Sequence, residues 1–240
     1  MLRVLMVASE MTPFAKVGGL ADVLGGLPAA MSRRGVEVAV VVPRYRSVSL
    51  EAARRAYQAL KLWLGPRDYE ADIYVLAHDS VPVFLVDQPA LFDREGVYHP
   101  LGEPDFPDNH IRFAVLCRAA LEVARYLFRA DILHCHDWQA AAAILYARSI
   151  FRNDPTFLAT RFLLTIHNLG YQGLFAQTAI AEMGLDPALW ANGTLEFYGR
   201  VNLLKGGILL ADYLSTVSPT YARDIQTPEF GAGLHREIQR

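Results

Sequence analysis

The sequence predicts an α/β fold, a mainly parallel sheet with helices on both faces. Three observations lead there. Short β-branched runs alternate with longer stretches of helical periodicity. The 240 residues are 52% hydrophobic and 20% charged, enough apolar material for a large core. Finally, three of the apolar runs end in polar loops, two of them rich in glycine, as strand ends that hold ligands do.

The strand candidates are Val4 to Ala8, Val36 to Val42, Ile132 to Cys135 and Phe162 to Ile166, with a weaker one at Leu214 to Val217. Ile73 to Leu76 and Val81 to Val86 flank Asp79-Ser80 and read as a hairpin. Helical patterns cover Leu20 to Arg34, Ile111 to Arg129, Gln139 to Phe151, Phe197 to Ala211 and Pro219 to Ile225. Asp108-Asn109 suits the N-cap of the second. Between Gln88 and Pro107 lie four prolines and two glycines, a long connection of the kind that is often functional. No internal repeat is found. Lys205-Gly206-Gly207 echoes an earlier Lys-x-Gly-Gly run but sits inside a helical pattern.

A formal net charge of −2 argues against broad nucleic-acid binding while leaving room for a local cationic pocket. Cys117 and Cys135, the only cysteines, lie in apolar segments and read as buried free thiols in a reducing, cytoplasmic setting. No apolar run reaches transmembrane length. The first apolar run stops at Ser9-Glu10 and reads as a strand, not a signal peptide.

Three clusters carry candidate chemistry. The first is Lys16-Val17-Gly18-Gly19-Leu20, between the first strand and an amphipathic stretch. Glycines let a backbone approach a ligand, a helix start offers free N–H groups to an anion, and a lysine adds a point charge for phosphate. The same residues also suit a plain flexible loop. Asp22, in the first helical turn, has two readings: a helix cap or a ligand for a sugar hydroxyl.

The second cluster is His134-Cys135-His136-Asp137-Trp138. Alternation puts both histidines on one strand face and Cys135 on the other, with Asp137 at the carboxyl end. A metal would need three or four converging ligands, and no second Cys/His group pairs with this one, so no metal is expected. The preferred reading is structural histidines and one functional carboxylate. The third cluster, Thr165-Ile166-His167-Asn168-Leu169-Gly170-Tyr171-Gln172-Gly173, also follows a strand. A parallel sheet would bring all three clusters to one edge. Gly-x-Ser-x-Gly, the Walker A pattern and the dinucleotide fingerprint G-x-G-x-x-G are absent. Hydrolase, P-loop nucleotidase and nicotinamide-dependent oxidoreductase readings lose ground accordingly.

With these residues in hand, the chain resembles the bacterial glycogen synthases and plant starch synthases, retaining glucosyltransferases built from two Rossmann-like domains (the GT-B architecture). The resemblance is carried by Ser9-Glu10-Met11-x-Pro13, the Lys16 loop through Val23, Gly26-Leu27-Pro28, Tyr98-His99, the His134 and Thr165 clusters, and Val217-Ser218-Pro219-Thr220-Tyr221-Ala222. It departs at Val17, where the family has threonine.

The resemblance implies that residues 1–240 form one Rossmann-like amino-terminal domain, with the carboxyl-terminal nucleotide-binding domain absent. It implies an ADP-glucose donor, an α-1,4-glucan acceptor and no resident cofactor. Lys16 and the Gly18 and Gly19 amides would face the diphosphate. His167 and Asn168 would line the donor glucose, with the backbone carbonyl at the histidine facing the anomeric carbon. Asp137 would bind glucose hydroxyls or steady positive charge. Asp22 and Gln172 join the expected substrate contacts, and Tyr98 would shape the acceptor side. The alternative is a non-catalytic module that binds glucan or sugar nucleotide.

Overall fold

The computed structural model describes all 240 residues. In chain order the first half comprises β1 (Arg3–Val7), α1 (Gly19–Ser32), β2 (Glu37–Pro43), β3 (Arg54–Leu64), β4 (Arg67–His78), β5 (Val81–Asp87), α2 (Pro89–Phe92) and α3 (Asn109–Glu122), which runs into a π-helical turn at Val123–Leu127. There follow β6 (Ile132–His136), α4 (Asp137–Arg148), α5 (Pro155–Ala159), β7 (Arg161–Ile166), β8 (Leu174–Phe175), α6 (Ala179–Glu182) and α7 (Ala188–Ala191). The chain closes with β9 (Glu196–Phe197), β10 (Arg200–Asn202), α8 (Leu203–Leu210), β11 (Tyr213–Thr216), α9 (Pro219–Asp224) and α10 (His235–Ile238).

Eight strands form one sheet in the order β11-β7-β6-β1-β2-β5-β4-β3. From β11 to β5 every pairing is parallel; β4 and β3 extend the sheet antiparallel. The predicted α/β class is therefore what forms. The crossovers β1-α1-β2 and β6-α4-β7 run in opposite directions across the sheet. Right-handed connections thus put α1 and α4 on opposite faces. Direction reverses between β1 and β6, which makes their carboxyl ends the switch point where open sheets of this kind bind ligands.

The central strands are apolar because both faces are covered. Leu5, Met6, Val7, Val40, Val41 and Leu133 are all shut from solvent. Where α8 crosses α4, Gly207 lies so close that an added Cβ would stand 2.8 Å from Ala141 Cβ, and one on Gly206 would stand 2.8 Å from Leu145. The second Lys-Gly-Gly run is thus a close-packing device, and its lysine is bonded to the carbonyls of Gly193 and Glu196.

Two predicted features differ, and one long strand was not predicted. The helix expected from Phe197 begins only at Leu203. Residues before it make the β9-β10 hairpin, turning through Tyr198 and Gly199 at positive φ, and Asn202 Oδ1 then caps the helix by accepting the Lys205 N–H. Asp108 precedes α3 but makes no capping bond; its carboxylate instead holds Arg94 at 2.7 and 2.8 Å. β3 has no counterpart among the predicted strands. It is a largely exposed edge strand broken by register shifts near Ala59, which blur its alternation.

Candidate active site

The three clusters meet. β1, β6 and β7 are neighbours, and the loops after them surround one cleft of about 660 Å³, within the usual range for small-molecule sites. Of the expected site residues, Gly18, Gly19, Tyr98, Asp137, His167 and Asn168 line it. Lys16 and Asp22 sit beside it, outside the lining, and Gln172 lies away from it.

Beyond β1 the chain stays buried through Ser9 and Glu10, then opens into the glycine loop. Glu10 organises that loop. Its Oε2 accepts the N–H groups of Val17 (2.5 Å) and Gly18 (3.0 Å), while its Oε1 accepts the Tyr98 hydroxyl. Tyr98 Oη also lies 2.7 Å from Ser9 Oγ, so one carboxylate ties the Lys16 loop to the long proline-rich connection. The Gly18 amide is therefore already engaged inside the protein, against the expectation that it faces a ligand.

Gly18 is in extended backbone, and a Cβ at Gly18 or Gly19 would meet no atom within 4 Å. Nothing in the fold demands glycine at either position. Side chains there would simply fill the cleft floor. Lys16 Nζ is drawn onto Asp22 at 2.7 and 2.8 Å, and both side chains are more than half exposed. Asp22 thus neither caps α1 nor faces the cleft; it holds the lysine.

At β6, Asp137 begins α4 with φ +57°, a strained backbone for a non-glycine residue. Its Oδ1 accepts the backbone N–H of His167 at 2.7 Å, so the residue after β6 grips the residue after β7. Burial pushes the carboxyl up to about 7, opposed by the hydrogen bonds from the His167 and Asn168 backbones.

Three histidines stack behind it. His134 and His136 rings lie 4.1 Å apart, and His136 Nδ1 is 2.9 Å from His167 Nε2. His134 Nε2 meets Thr165 Oγ1 at 2.6 Å, and Thr165 meets Ser215 Oγ at 2.7 Å. Burial holds all three below the ordinary imidazole range, His134 at about 4, so the cluster is neutral near pH 7. No group of three or more His, Cys, Asp or Glu side chains is arranged to hold a metal.

The loop after β7 is fixed at several points. Asn168 Oδ1 accepts the Gly170 N–H, and the Leu169 N–H donates to Tyr221 Oη at 2.9 Å. Tyr221 is placed by α9, which Ser218 caps. Gly173 has φ +65°, and its added Cβ would stand 2.5 Å from the Trp138 ring. Gln172 does not contact the cleft: its Nε2 donates to the carbonyls of Leu169 and Ala232, and its Oε1 accepts from Asn202 Nδ2. It clamps the loop to β10. Sequence reasoning missed Glu10, Asp105, Gln139 and Tyr171, which also line the cleft. Glu10 was visible only as part of a motif without a role.

A Rossmann-like sheet with three loop clusters converging at its switch point defines a small-molecule site of the α/β type. The chain belongs to the family described as the starch synthase catalytic domain, whose model matches residues 3–240. It is 43% identical over 242 residues to "Glycogen synthase 2" of Geobacter metallireducens, with all of this chain and 50% of that protein covered. To "Glycogen synthase 2" of Geobacter sulfurreducens it is 44% identical, with the same coverage. The catalytic domain of starch synthase IV from Arabidopsis thaliana, solved with ADP and acarbose bound, superimposes with a TM-score of 0.86 at 30% identity, covering 99% of this chain and 49% of that one. The chain spans about half the length of the curated relatives it matches. No helix is long and apolar enough to cross a membrane.

Proposed function

We propose that this chain forms one wall of an α-1,4-glucan synthase that transfers glucose from ADP-glucose to the non-reducing end of the glucan, with retention of configuration. The observation that carries the reading is the meeting of three loops, with glycine, carboxylate and imidazole groups, at adjacent strand ends around one cleft. Family membership and the ADP bound in the Arabidopsis structure support it. Lys16, released from Asp22, offsets charge on the departing nucleoside diphosphate, with the Gly19 amide at the start of α1 beside it. His167 and Asn168 line the donor glucose. Asp137 orients their backbone through the His167 N–H and places a carboxylate near developing positive charge. Tyr98, tied to Glu10, shapes the acceptor side.

The nucleotide's remaining contacts come, on this reading, from a second Rossmann-like domain across the cleft. Val17, Tyr171 and Val217 stand exposed by the cleft, ready to be covered. A cytoplasmic setting goes with it, since both cysteines are free and buried. The 240-residue chain alone is expected to turn over negligibly. Calorimetry with ADP-glucose and maltooligosaccharides, beside a turnover assay on the two-domain enzyme, tests the reading. Elongation by the 240-residue chain at the two-domain rate, or no donor effect of Lys16→Ala in the larger enzyme, would overturn it.

A further inference from the structure

We propose that His136 is a positioning residue: it fixes the proton of His167 on Nδ1 and so presents an N–H donor to the donor sugar. His136 closes β6 and is fully buried. Its Nδ1 lies 2.9 Å from His167 Nε2, and its own Nε2 is buried with no partner. One proton must sit between the two rings, and two neutral arrangements supply it.

In the first, His136 carries its proton on Nδ1 and donates it, leaving its Nε2 a bare acceptor. In the second, His136 carries its proton on Nε2 and accepts from His167. That leaves a buried N–H with nothing to bond, the rarer and costlier kind of orphan. A doubly protonated His136 is excluded by its burial and by His134 and His167 beside it. The first arrangement wins. His167 then accepts on Nε2 and holds its single proton on Nδ1.

His167 lines the cleft, and its Nδ1 makes no bond inside the protein. It is therefore the ring atom available to a ligand, and as an N–H it asks for an acceptor such as a sugar hydroxyl oxygen. Asp137, the next residue after His136, holds the His167 backbone N–H at 2.7 Å. One dipeptide thus fixes both the position of His167 and its tautomer. The remaining titratable neighbours are His134, stacked on His136, and Glu10, whose charge faces His167. The sugar half of the proposal rests on the reading of the cleft given above.

The test is nitrogen NMR of the imidazole rings in the 240-residue protein near pH 7. The expected spectrum has His167 neutral, with Nδ1 in the protonated range and Nε2 in the unprotonated range. His136→Ala should release this preference, and His136→Asn, whose amide can donate from nearly the same place, should restore it. A wild-type His167 protonated on Nε2 overturns the proposal even if the variants fail to fold. So does a folded His136→Ala that keeps the Nδ1 proton. Addition of ADP-glucose to the two-domain enzyme should shift the His167 Nδ1 resonance. An intact tautomer whose resonance ADP-glucose leaves unmoved overturns instead the reading of the cleft as a donor site.

Discussion

Asp137 Oδ1 accepts the backbone N–H of His167 at 2.7 Å, so two residues thirty positions apart are locked together across the ends of β6 and β7. Holding a carboxylate this deep costs free energy when it is charged, and the group is pushed up to about 7. An unfolded chain releases the same proton near the ordinary value of 3.8. Between those values the folded state keeps a proton that the unfolded state has lost. Asp137 therefore favours folding at low pH, and that contribution fades as pH rises through about 7. Asp137→Asn keeps an acceptor for the His167 N–H but cannot ionise. Its stability relative to wild type should rise between pH 4.5 and 8, by at most ~3 kcal/mol at 1.36 kcal/mol per unit. The buried histidines act oppositely, costing stability as pH falls below about 6.5, but they are present in both proteins and cancel in the difference. Urea denaturation of both proteins across this range checks it. A constant difference would remove the ionised, buried Asp137 from the account.

Lys16 and Asp22 form an exposed pair, so its loss should matter little to folding. Lys16→Ala and Asp22→Ala should each change stability by less than about 1 kcal/mol. In the two-domain enzyme the two should part company. Lys16→Ala is expected to raise the KM for ADP-glucose or lower kcat by at least tenfold, whereas Asp22→Ala, which frees the lysine, should cost less. Steady-state kinetics beside thermal melts separate the two roles. A large loss of melting temperature with normal kinetics would make Lys16 structural.

Glu10 is the hub that the Lys16 loop and Tyr98 share. Glu10→Ala leaves the Val17 and Gly18 amides without their acceptor and Tyr98 Oη with only Ser9 Oγ, a change expected to cost about 1–3 kcal/mol. Hydrogen exchange gives the sharper reading. The amides of Val17 and Gly18 should lose protection while those of β1 keep theirs. Equal protection in the variant would show that the loop is held by something other than this carboxylate.

The parallel strands and the meeting of three loops were legible because both follow from local pattern. Val4–Ala8 is apolar throughout and Phe162–Ile166 at every position but Thr165, and strand direction alone brings their ends together. What could not be read was where polar side chains turn. Gln172 carries the same amide whether it points into a cleft or, as here, clamps Leu169, Ala232 and Asn202. Asp22 kept two readings open, and its actual partner, Lys16, was neither of them. Glu10 was hidden for a similar reason. Its partners at residues 17, 18 and 98 lie at separations no periodicity predicts. The start of α8 depended on whether Tyr198-Gly199 turns, a decision made by the β9-β10 pairing and not by local helical pattern.

Gly173 offers the most direct test of how the third loop is seated. Its φ of +65° strains any side chain, and the Trp138 ring leaves no room for a Cβ, whose nearest ring atom would be 2.5 Å away. Trp138 itself is wedged edge-on against Phe113, with centroids 5.3 Å apart, and also packs on Phe175, so it has little freedom to yield. Gly173→Ala should therefore destabilise the chain by about 2–4 kcal/mol, combining backbone strain with overpacking. Because the Gly173 carbonyl also accepts the Leu203 N–H at the start of α8, the disturbance should reach that helix. Hydrogen exchange should show α8 opening more readily along with residues 167–173, while β1 and β2 are unaffected. Trp138→Phe in the same background removes part of the obstructing ring and should recover some of the lost stability. If the double variant is no more stable than Gly173→Ala alone, the strained backbone and not the indole is what demands glycine.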